Sequence, residues 1–130
     1  MQHRPKPCQK WTTNGILLRK TETKAVIPVG FETLERDWKM SPGLLSGDHL
    51  FLTGFNGCPV DGPPPDDAAA QMRIAFDTVA EVLSEAGADW GDVVDMTSFH
   101  IGLRDHLDLF RSVREDYVRS PYPAWTAIEV

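Results

Sequence analysis

The densest group of side chains able to do chemistry lies at His100, Arg104, Asp105 and His106. An imidazole can carry a proton near neutral pH or bind a metal through a ring nitrogen. The His-x5-His spacing, across a strand end and a helix start, could bring two rings together. A metal would need a third ligand, and the surrounding sequence offers none, so no metal site is expected. Asp105 reads instead as the N-cap of a helix, with Asp108 three residues on. His100 is then the one candidate catalytic residue, a proton carrier near a strand end. Cys58 makes a poor nucleophile, because it stands in a Pro/Gly loop with no base or cation beside it to lower its pKa. No Gly-rich run opens a helix to cradle phosphate, and Ser41-Pro42-Gly43 lacks the nucleophile-elbow pattern.

Positioning these groups falls to a framework organised around Asp66–Gly87. Apolar side chains at Ala69, Met72, Phe76, Val79, Leu83 and Ala86 recur in steps of three and four, one face of an amphipathic helix, while Ile74 points away from that stripe. Asp66 and Asp67 follow three prolines and supply an acidic cap, and Gly87 stands where a left-handed residue would end the helix. Met40–Leu45 and His49–Gly54 flank the turn signal Ser46-Gly47-Asp48 and read as a β-hairpin. Residues 55–65 are a Pro/Gly loop. Val93–Ile101 reads as a strand, then comes a second helix with a stripe at Leu107, Phe110, Val113 and Tyr117, and Thr126–Val130 closes as a strand. Upstream, Ile16-Leu17-Leu18 could form a short strand, and Phe31, Leu34 and Trp38 could anchor one helical turn.

A chain of 130 residues can bury one real core. Two cysteines, Cys8 and Cys58, make no disulfide framework and suit a reduced, cytoplasmic setting. No apolar run approaches a membrane span, and no apolar signal core stands at the N-terminus. Charge is uneven: residues 1–24 hold six Lys/Arg against one Glu, and residues 25–130 hold seven against eighteen Asp/Glu. The acidic body argues against a nucleic-acid partner, which needs clustered cations to neutralise phosphate. The dispersed cations of the first 25 residues read as a solvated basic extension.

The element order, hairpin–helix–strand–helix–strand, places both helices on one face of a single mixed sheet, an α+β architecture. Yet the strands are apolar on both sides: Leu50 and Leu52 oppose Phe51, and Met96 opposes Phe99 and Ile101. An uncovered apolar sheet face must find another surface. A second copy of the chain, in a homo-oligomer, is the expected cover; the alternative is the chain's own first 39 residues.

Three segments, MSPGLLSGDHLFLTG from Met40, the run from Asp67 to Tyr117 and PYPAWTAIEV from Pro121, together resemble the YjgF/RidA family, also called L-PSP endoribonuclease-like or reactive-intermediate deaminases. The resemblance covers residues 26–130 and leaves 1–25 as the extension. It implies a chorismate-mutase-like fold and a homotrimer with a small-molecule cleft at each subunit junction. It also implies hydrolysis of enamine or imine intermediates to a keto acid and ammonia, with neither metal nor organic cofactor. The family centres this chemistry on the arginine of a Pro-Ala-Arg-Ser/Thr run, which grips the substrate carboxylate in a bidentate fork. Here the run reads Pro123-Ala124-Trp125-Thr126. Tryptophan has one N–H donor and no charge, so it cannot replace a guanidinium. Met40 stands where a tyrosine is expected, Phe55 where a glutamine is, and Phe110 where an asparagine is. The resemblance further implies a glycine turn and a last strand with a glutamate, which would follow Val130; either the protein lacks that strand or the sequence is shortened there. Met40, Phe55, Phe110 and Trp125 are thus the expected ligand-binding residues, in an apolar, aromatic cleft that suits a flatter or greasier ligand than a small amino-acid imine. A trimer packed through these residues without a working site is the competing expectation.

Overall fold

The computed structural model describes residues 10–13, 16–19, 22–59 and 61–130. Its elements in chain order are β1 (Lys10–Thr13), β2 (Ile16–Arg19), β3 (Thr23–Val26), α1 (Glu32–Arg36), β4 (Gly43–Ser46), β5 (His49–Leu52), α2 (Ala68–Glu85), β6 (Asp95–His100), α3 (Leu103–Glu115) and β7 (Ala124–Glu129). Cys8, and most of the basic extension, lie outside the described residues; Cys58 is a half-buried thiol.

α2 begins and ends as its sequence dictates. The Asp67 carboxylate accepts from the Ala70 amide at 2.8 Å, and Gly87, at φ 77°, lets the Gly87 and Ala88 amides return to Ser84 and Leu83. Its buried face is wider than the expected stripe. Phe76, Val82 and Leu83 are the buried residues, Ala86 is exposed, and Ile74 is half-buried. The cause is that α2 serves two clusters at once. Val82 packs with Val26 and Phe31, while Phe76 packs with Phe110 and Val113. Six residues at 3.6 per turn set Phe76 and Val82 about 120° apart around the axis, so one helix faces both.

The strands form separate ladders rather than the single mixed sheet expected. β1 pairs with β2, β3-β4-β5 is antiparallel, and β6 and β7 run parallel. Among the described residues no ladder joins β5 to β6, and α2 holds the two parts together by side-chain packing instead. β3, unexpected from the sequence, adds to the edge of β4 and is followed by α1, where Phe31 is buried, Leu34 half-buried and Trp38 exposed. The hairpin turns at Gly47-Asp48, with Ser46 opposite His49.

α3 starts one residue after Gly102, which sits at φ 71° and carries no side-chain cap of its own. Asp105 is not the N-cap. The Glu129 carboxylate, at the end of β7, accepts from the Gly102 amide at 3.0 Å and also from Leu103. Since β6 and β7 run parallel and α3 follows β6 directly, the end of β7 arrives beside the helix start, and its carboxylate takes over the orphan amides. On the outer side, an Arg73–Asp116 ion pair at 2.8 Å and a Tyr117 hydroxyl donating to Asp77 at 2.8 Å tie α2 to the end of α3.

Alternation along the strands sorts their side chains. Met96, Ser98, His100 and Trp125 turn inward, whereas Phe51 is 62% exposed, Phe99 66% and Ile128 39%. Leu44 lies opposite Phe51, and Phe99 opposite Ile128, so the exposed apolar residues come in cross-strand pairs.

Candidate functional site

Two elements meet over the parallel ladder. β6 presents Ser98 and His100, two residues apart and so on one face, and β7 presents Trp125 on the same side. α3 lies above and contributes Phe110 and, one turn on, Arg114.

A buried polar chain results. The Trp125 indole N–H donates to the Ser98 hydroxyl at 2.8 Å, and that hydroxyl lies 2.7 Å from His100 Nε2. The indole can only donate, so the serine oxygen accepts from it, while the direction of the Ser98–His100 bond follows the imidazole tautomer. Burial, foremost, depresses the His100 pKa below its ordinary value; nearby His106 also lowers it, and the Glu129 charge opposes both. His106 is otherwise engaged, with Nδ1 3.0 Å from the Gly102 carbonyl.

An aromatic wall encloses this chain. Phe110 meets His100 edge-on at 4.6 Å and stacks on Trp125 at 5.5 Å with the planes 27° apart. The guanidinium of Arg114 covers the indole, 4.9 Å from its centroid. Among the described residues no group of three His, Cys, Asp or Glu side chains is placed to hold a metal.

Of the residues singled out in the sequence, the fold brings together His100, Phe110 and Trp125. His100 is only 8% exposed, so it reaches the surroundings through Ser98 rather than directly. Phe55 belongs to the other cluster and meets Phe31 edge-on at 6.3 Å. Met40 is half-buried beside α1, its amide bonded to the Leu34 carbonyl at 3.1 Å. Within the chain these two are therefore apart from Trp125. Sequence reasoning missed Ser98, Arg114 and Glu129. The first two carried a signal: Ser98 shares the period-two face of His100, and Arg114 is four residues beyond Phe110. Glu129 acts across the fold and carried none.

The chain is similar to known proteins. The family model described as Endoribonuclease L-PSP matches residues 35–130. The RutC family protein YjgH of Escherichia coli (strain K12) is 36% identical over 110 residues, 84% of each chain. A solved structure of protein YjgH superposes with a TM-score of 0.75 at 37% identity, covering 84% of this chain and 85% of that one. TdcF of the same organism, whose name assigns it provisionally to the reactive intermediate deaminases, is 28% identical over 91 residues, 68% of this chain and 70% of its own. The structure of Escherichia coli TdcF with bound serine gives a TM-score of 0.63 at 25% identity, with coverage of 70% and 74%. The chain belongs to the YjgF/RidA family, the endoribonuclease L-PSP group.

Proposed function

We propose that copies of this chain associate as a homotrimer through their helix-free strand faces, bind a small metabolite at each junction, and hydrolyse an enamine or imine bond there. The observation that carries this reading is the pair of exposed apolar rows, Leu44 with Phe51 and Phe99 with Ile128. Left in water, such rows oppose solubility; covered by another copy, they supply the driving force for assembly. In the reaction, water adds to the C=N carbon, ammonia leaves and a carbonyl compound remains. His100, neutral and joined to Trp125 through Ser98, is the proton carrier this reading offers.

Trp125 favours a second reading, in which the same trimer binds its ligand without turning it over, because the indole supplies no charge to a substrate carboxylate. Ribonuclease action ranks third, since the acidic body disfavours RNA. Freshly generated 2-aminoacrylate, with pyruvate formation as the readout, separates the first two. Turnover by the native protein supports hydrolysis; turnover only in Trp125→Arg supports the binding reading. Light scattering of Phe99→Asp tests the assembly: the variant is expected to dissociate, and a native protein that is monomeric at micromolar concentration would sink the whole proposal.

A further inference from the structure

We infer that the cleft between the end of α3 and the segment Val118–Tyr122 is an anion-binding site in which Arg114 is the principal contact, and that its ligand is a small metabolite bearing a carboxylate or phosphate group. It names the ligand class for the reading above, but it uses the residues of one protomer alone.

The cleft measures about 450 Å³, within the range of small-molecule sites, and Arg111, Arg114 and Arg119 line it against a single carboxylate, Glu115. Three guanidinium groups around one opening are unusual in a chain whose net charge is −6. Among the described residues no ion pair involves Arg114 or Arg119, and Arg111 approaches Asp108 only at 3.7 Å.

Arg114 is held rather than loose. Its guanidinium lies over the Trp125 ring, and that ring is fixed by Phe110 stacked on it and by the hydrogen bond to Ser98. That contact holds the guanidinium without an ion pair, which leaves its terminal donors for a two-point grip on an oxyanion. Arg114 Nε is buried without a hydrogen-bond partner, so the terminal Nη groups are the donors an anion can reach. The α3 C-terminus does not account for binding, since helix carbonyls repel anions. It holds Arg111 and Arg114; the arginines must hold the ligand. Tyr122, 66% exposed at the rim, adds an aromatic edge for the body of the ligand.

Titration calorimetry of the native protein at low salt, with succinate, inorganic phosphate and uncharged succinamide, tests this. At least one anion should bind with Kd at or below about 1 mM, and succinamide should not. The tighter anion identifies the oxyanion. Arg114→Gln should weaken it about tenfold or more, and Arg114→Lys, which keeps the charge but not the fork, by less. Should Arg114→Gln fail to fold, Arg119→Gln at the cleft carries the test, with binding again expected to fall. Native binding of neither anion, equal binding of succinamide, or an unchanged Kd in a folded Arg114→Gln overturns the inference. Light scattering on the same samples keeps the two ideas apart: a monomer that binds the anion refutes the trimer alone, and a trimer that binds none refutes the anion site alone.

Discussion

Exchanging Glu129 for glutamine tests how α3 is started. The carboxylate accepts from the amides of Gly102 and Leu103, which have no acceptor within the helix. An N-terminal side-chain cap contributes about 1 kcal/mol, and a negative charge at an exposed helix start adds about 0.3–1 kcal/mol. Glu129→Gln removes the charge and turns an amide donor toward one of the two N–H groups, so a loss of about 1–2 kcal/mol is expected. Asp105→Asn removes only a first-turn charge and should cost about 0.3–1 kcal/mol. Urea denaturation of both variants at one fixed protein concentration, so that association does not distort the comparison, gives the two values. In parallel, the amide resonances of Gly102 and Leu103 should move in Glu129→Gln and stay in place in Asp105→Asn. A loss from Asp105→Asn equal to or larger than that from Glu129→Gln would refute the assignment and return the cap to the helix's own sequence.

Gly57 lies against α2 so closely that an added Cβ would meet Gln71 Cβ at 2.5 Å and the Gln71 carbonyl oxygen at 2.8 Å. Gly57→Ala should therefore cost about 1–3 kcal/mol, while Gly54→Ala, with nothing within 4 Å of its added carbon, should stay within about 0.5 kcal/mol in the same melting assay. Burial depresses the His100 pKa below the usual 6.5, so just below pH 6.5 the unfolded chain holds more proton on this ring than the folded one. Its contribution is complete above that value and declines as pH falls through it toward the lower folded pKa. His100→Gln should flatten the fall in stability between about pH 7 and pH 5, and an unchanged slope would show that the imidazole is not the group responsible.

Local chemistry made much of this fold legible. Asp67 and Gly87 bound α2 because caps act within a few residues, and Gly47-Asp48 turns the hairpin for the same reason. Phe110 and Val113 are buried where helical spacing puts them. The main failures are long-range. Val82 was overlooked because a single stripe assumes one partner surface, and α2 has two. Asp105 looked like a cap because a carboxylate 27 residues downstream of Gly102 cannot be seen in a local window. At the candidate site, Trp125, Phe110 and His100 could be named from the sequence, but the serine that links indole to imidazole emerged only when β6 and β7 were paired.

That pairing carries a wider consequence. Because neighbours along β6 and β7 face opposite ways, one alignment of two short segments decides both what lies inside the protomer and what it offers to others. A slip of one residue in the pairing of Asp95–His100 with its partner strand would send Phe99 under the helix and expose His100, exchanging interior and exterior in one step. Side chains on either surface can be replaced separately, and so the greasy outer rows and the hidden hydroxyl–imidazole link can change independently only while the strands keep their length.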